Sequence, residues 1–164
     1  MIEYVKYFAL LIVLIIVQKT IIWLIAVTSY EITPDIVLIG LVFLGIRSGK
    51  ITGTIAGFVC GLILDLLSFT FLGLMGLSKA AAGFASGFFN NENKIETYTR
   101  GYAFVMIVFF CSLINNLIYF GVYFQGSTLT FSELLFRYVI PTAVYTGLIS
   151  FLPVMFVKRR PVIS

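Results

Sequence analysis

Asp65 and Lys79 are the residues whose types and spacing most invite a chemical reading. Each lies inside an apolar run, where charge is costly and normally finds a partner. Gly53, Gly57, Gly61 and Asp65 follow one another at four-residue steps, and so do Lys79, Gly83 and Gly87. Such steps keep side chains on one slowly drifting stripe of a helix. A hairpin centred near Leu72 would set Asp65 opposite Lys79, Gly61 opposite Gly83 and Gly57 opposite Gly87, all at matching depths. Glycines at these positions let two backbones approach closely, which favours helix association in lipid. The pattern predicts a tight antiparallel hairpin with an ion pair near its outer end. The simpler chemistry for that pair is to neutralise buried charge and set helix register. The more demanding one is a proton or substrate site, which would usually show a second unpaired acid. Asp65 is the only acid deep in a run.

Other polar residues in apolar stretches read more plainly. Lys19 follows Gln18 and can snorkel to the nearer surface, as can Arg137. Glu133 and Arg137 are spaced for an i, i+4 pair at the start of a helix; the other reading of Arg137 is contact with an acid on a partner. Asn115-Asn116 sits in mid-run, where amides usually hydrogen-bond between helices. Pro141 and Pro153 read as kinks. Catalysis finds little support. The chain has no histidine, no paired carboxylates and no nucleophile beside a base. Gly49-Lys50-Ile51-Thr52 lacks the upstream glycine spacing of a phosphate-binding loop. Cys60 and Cys111 lie in apolar runs, and their number and spacing indicate neither a disulfide framework nor a metal site. No cofactor is implied.

The elements that must position these residues follow from composition. Of 164 residues, 60% are hydrophobic and 11% charged, against about 45–50% and about 25% in soluble domains. A soluble fold of this size could not hide so much apolar surface. The chain is therefore expected to be an all-α polytopic membrane protein forming a single integral membrane domain over 1–164. Its net charge of +4 reads as loops held against anionic lipid rather than as a nucleic-acid signal. Six apolar runs are expected as helices over about 4–27, 35–46, 51–67, 77–89, 102–124 and 133–157. The first is longer than the core of a cleavable leader. Pro34 followed by Asp35 is a good helix start. With the N-terminus inside, the inner segments hold Lys6, Arg47, Lys50, Lys94, Arg100 and Lys158 to Arg160. The outer turns then hold only Glu31, Asp35 and Glu133. That positive-inside pattern predicts both termini on the cytoplasmic side. The second and third runs are short, so a bent or re-entrant pair is the competing arrangement.

The stretch from Pro34 to Gly83 resembles the rod-shape-determining protein MreD family. The resemblance rests on Pro34-Asp35, an apolar run closing with Arg47, then Gly49 and Gly53. It continues through Gly57-Phe58, Gly61-Leu62, Asp65-Leu66-Leu67, Leu72-Gly73, Leu77, Lys79 and Gly83. Met75 stands where many relatives carry a histidine. The resemblance implies a multi-pass protein of the bacterial plasma (inner) membrane that is not an enzyme. It would act as a scaffold of the cell-wall elongation machinery and help to determine rod shape. Its implied partner is an MreC-like single-span protein, through which it would act indirectly on the elongation transpeptidase and its glycosyltransferase. The actin-like MreB filament would lie on the cytoplasmic side.

The family is also similar in fold to the substrate-binding subunits of energy-coupling-factor transporters. That similarity implies the alternative, a vitamin-transporter subunit, which needs an outward pocket with convergent polar groups. The expected outer turns are short and poor in such groups. Pro34, Asp35, Arg47 and Arg137 are candidate partner or interfacial contacts. Membrane lipid is an expected partner and nucleic acid is not. A monomer and a homodimer both remain open.

Overall fold

The computed structural model describes residues 2–20, 33–69, 71–99, 101–126 and 130–156. The expected end of the first run, the turn carrying Glu31, Arg100 and the cluster Lys158 to Arg160 lie outside the described residues. Among the described residues the chain is helical, with no strand. The elements are α1 (Ile2–Thr20), α2 (Ile36–Ser68), α3 (Leu74–Ser86) with a 3-10 turn at Gly87–Phe89, and α4 (Ile95–Thr99). They continue with α5 (Tyr102–Tyr123), α6 (Phe131–Leu134), a π turn (Leu135–Val139) and α7 (Ile140–Phe156).

Three helices are long and apolar enough to cross a membrane: Ile36–Ser68, Tyr102–Tyr123 and Phe131–Leu152. Ala9–Thr20 is apolar but shorter. The polarity is distributed as lipid demands. Ile55, Phe58, Phe84, Met106, Phe110 and Leu148 are exposed, whereas Ser78, Ser86, Ser112, Thr146 and Ser150 are buried. Apolar surface has no reason to hide when its solvent is hydrocarbon, while hydroxyls must find partners inside.

The expected second and third runs join into α2, which is broken at Gly49. Its φ of 87° with ψ of 179° is open essentially to glycine alone. The break divides α2 into arms 36–48 and 50–68. Eight residues of straight helix would span about 12 Å. Instead, the Cα of Gly45 lies 3.2 Å from where a Cβ on Gly53 would sit. The two arms therefore double back on each other. Asn90 stabilises the bend, its Nδ2 donating to the carbonyl oxygen of Ile46 at 2.7 Å. That carbonyl would otherwise lose its helical partner at the break.

The second arm and α3 form the expected hairpin, but in a different register. Gly53 faces Gly83, Gly57 faces the Lys79 backbone, Gly61 faces Met75 and Gly76, and Gly87 faces Lys50. The expected pairings of Gly61 with Gly83 and of Gly57 with Gly87 are thus shifted by about two turns. The cause is local. The uncharged stretch 68–76 does not form a symmetric loop, because α2 runs on to Ser68 and α3 already begins at Leu74. From the level of Gly61 and Gly76, α2 continues seven residues and α3 only two. The end of α2 therefore overshoots the start of α3 by about 7 Å.

Two apolar clusters surround this hairpin. Leu38, Leu41 and Val42 of the first arm pack with Ala82 of α3 and with Val108 and Cys111 of α5. Leu11 and Ile15 of α1 pack with Val37, Leu44, Cys60 and Leu64 from both arms of α2. α5 and α7 are antiparallel neighbours. Their register is set by the ring pairs Tyr102–Phe151 and Phe120–Tyr138 and by Phe109 against Gly147.

Candidate functional site

The polar centre of the molecule is built on the start of α2. Asp35 is its N-cap, and its Oδ1 accepts from the Leu38 backbone N–H at 3.0 Å. A second orphan donor of that first turn, the Val37 N–H, is met by Gln18 Oε1 of α1 at 2.9 Å. The backbone N–H of Asp35 itself donates to Thr146 Oγ1 of α7 at 3.1 Å. One helix start is thus secured by residues from α1, α2 and α7, as a buried terminus requires.

The remaining oxygen of Asp35 takes the buried cation. Lys79 Nζ of α3 donates to Asp35 Oδ2 in an ion pair, with side-chain exposures of 3% and 12%. The expected Asp65–Lys79 pair is therefore corrected: the ion pair at Lys79 is formed with Asp35. The reason is the folding back at Gly49. It returns the beginning of α2 to α3, where the Lys79 stem can reach it.

Asp65 does something else. Its Oδ2 accepts from the backbone N–H groups of Gly73 at 2.9 Å and Gly76 at 3.2 Å, and its Oδ1 from that of Met75 at 3.0 Å. These are the orphan donors at the start of α3. The N-cap there is Gly73, which has no side chain to offer. The overshoot of α2 hangs a carboxylate over that end, where it also meets the positive end of the helix dipole. At 1% exposure, Asp65 is a cap supplied by a neighbouring helix.

The other singled-out residues fall on either side of this centre. Pro34 and Asp35, expected as surface contacts, are buried, because Asp35 is drawn in by Lys79 and Thr146. Arg47 stays exposed. Its Nη1 donates to Tyr7 Oη at 3.0 Å and its guanidinium lies 5.1 Å from the Phe43 ring centroid. Lys19 is exposed and donates to Ser68 Oγ. The expected Glu133–Arg137 pair is replaced by a capping box: Glu133 Oε2 accepts from the Thr130 backbone N–H at 3.0 Å. Arg137 is exposed in the π turn.

Asn115 and Asn116 bond within α5 rather than between helices. Asn115 Nδ2 donates to Asn116 Oδ1 at 3.1 Å, and Asn116 Nδ2 to Ser112 Oγ at 3.3 Å. Gln18 and Thr146 were not singled out by the sequence for these roles. Only a pattern of buried hydroxyls on α7, Thr142, Thr146 and Ser150 at four-residue steps, could have marked that face.

This arrangement can hold helices in one geometry. Among the described residues, no group of three metal-ligating side chains forms, and both cysteines are buried and free. Comparison with protein-family models, with curated proteins and with solved structures finds no match to this chain.

Proposed function

We propose that this protein is a non-enzymatic scaffold of the bacterial plasma membrane that serves cell-wall elongation in rod-shaped growth. The observation that carries this reading is the glycine-lined α2–α3 hairpin. Several of the residues on which the resemblance to the MreD family rests shape it. Gly49 makes the bend, Gly53, Gly57 and Gly61 bring α3 close, Asp65 caps α3, and Asp35 meets Lys79. Each acts on the helical framework. A hairpin held rigid from within presents its outer apolar faces in a fixed geometry, which suits recognition of another helix in lipid.

In this reading the chain crosses the membrane six times with both termini inside. The two arms of α2 count as separate spans, and Arg47 and Lys50 lie at the cytoplasmic surface. The partner is an MreC-like single-span protein. The elongation enzymes are reached through that partner, and MreB lies beneath. Cysteine-scanning crosslinking in membranes, from each helix towards a co-expressed MreC-like protein, tests the reading. Crosslinks confined to one helix face are expected. Crosslinks scattered over all faces at equal yield would overturn it.

A further inference from the structure

Lys19 brings a positive charge to the end of the bundle whose turns hold no basic residue. Its ammonium donates to Ser68 Oγ, on the last residue of α2. From Lys50 to Ser68 the second arm of α2 rises about 27 Å. A hydrocarbon layer is about 30 Å thick. With Lys50 at one boundary of that layer, Ser68 and the Lys19 ammonium stand close to the other.

Lys19 is exposed, and no carboxylate meets it among the described residues. Asp65, the acid nearest to Ser68 in the chain, is 1% exposed and accepts from the N–H groups at the start of α3. The surroundings of the ammonium are apolar. Ile12, Ile16 and Lys19 follow at helical spacing on one stripe of α1, and both isoleucines are exposed. Leu67 and Phe69, on either side of Ser68 in the chain, are 52% and 97% exposed. A cation thus tops an apolar stripe that runs from the boundary into the hydrocarbon.

An ammonium at this depth calls for an anion, and the stripe below it calls for hydrocarbon. A phospholipid supplies both, with its phosphate at the boundary and its acyl chains beneath. We propose that Lys19 and Ser68 bind the phosphate of a phospholipid in the leaflet remote from Arg47 and Lys50, with the acyl chains along Ile16 and Ile12. Ser68 contributes a second donor. Its oxygen accepts from Lys19, and its O–H has no acceptor among the described residues and is available to the phosphate. The bound lipid joins α1 to the end of α2, beside the turn that Asp65 organises. The site rests on the membrane character of the chain and not on a role in wall growth.

Native mass spectrometry of the full chain, released from detergent containing phosphatidylglycerol, tests this. The parent chain is expected to retain one phosphatidylglycerol about fivefold more strongly than Lys19→Gln does. It should also prefer phosphatidylglycerol to diacylglycerol, which has the same tails and no phosphate. Lys19→Arg should keep most of the retention, and Ser68→Ala should lose part of it. Equal retention by the parent and Lys19→Gln overturns the proposal, and so does equal retention of diacylglycerol. Displacement of the lipid by tail-less glycerol phosphate at equal concentration overturns the lipid assignment in favour of a free phosphate. A parent dimer that becomes a monomer in Lys19→Gln overturns it in favour of a second copy of the chain. Should Lys19→Gln fail to accumulate, Ser68→Ala and the diacylglycerol comparison on the parent chain decide.

Discussion

Lys79 of α3 is paired with Asp35, 44 positions earlier in the chain, with both side chains largely buried. The same carboxylate caps α2, so one acid joins the start of one helix to the middle of another. Because both groups are buried, the pair is unlike an exposed salt bridge. Its Coulomb energy is set against the cost of desolvating two ions, and removing one partner leaves the other stranded.

Lys79→Met is therefore expected to destabilise the protein by about 3–5 kcal/mol. Asp35→Asn can keep the cap to Leu38 while losing the charge, and should be comparably damaging. The double variant should lose clearly less than the sum of the two single losses. Thermal unfolding of the four proteins in one detergent measures the coupling, and strictly additive losses would contradict the pair.

Asp65→Ala removes an acceptor from three backbone N–H groups at the start of α3. A lost cap typically costs about 1–2 kcal/mol. The loss should concentrate in α3, where faster amide exchange at Met75 and Gly76 is expected in the variant. Asp65→Asn keeps an acceptor oxygen and should recover part of the protection.

Gly57→Ala tests the close approach of the hairpin. A Cβ at Gly57 would sit 2.7 Å from the Lys79 carbonyl carbon, which is backbone and cannot step aside. Forcing the helices apart should cost about 1–3 kcal/mol. Gly121→Ala, where a Cβ meets nothing within 4 Å, is the matched control and should be near neutral. Equal midpoints for the two variants would refute close packing at Gly57.

Gly49→Ala places a side chain at φ 87° and ψ 179°, a region that L-residues with a Cβ avoid. The arms of α2 should then straighten or the protein should fail to accumulate. The yield in membranes and the thermal midpoint in detergent, each set against Gly121→Ala, check this, and values equal to that control would contradict the need for glycine at the bend.

Reporter fusions at the two ends check the topology in the proposed function. Both should signal from the cytoplasmic compartment; signals from opposite compartments would exclude an even number of crossings.

The helical class and membrane character were readable without coordinates, because they depend on composition and on apolar runs longer than a soluble fold can bury. The hairpin was readable too, because glycines at four-residue steps mark a close-packing stripe using local information alone. Its register was not. That depended on where α2 stops and α3 starts, and the decision lies with the Asp65 carboxylate and three N–H groups across the turn. The ion pair was misassigned for a related reason. Sequence spacing made Asp65 the nearest acid in an apolar run, whereas Asp35 looked like a surface residue in an outer turn. Only the reversal at Gly49 brings the start of α2 against α3, and only the tertiary packing of α1 and α7 supplies Gln18 and Thr146 to its first turn. Periodicity along one helix is a property of the chain itself. Which buried charge meets which partner is set by distances between helices, and those exist only once the helices have packed.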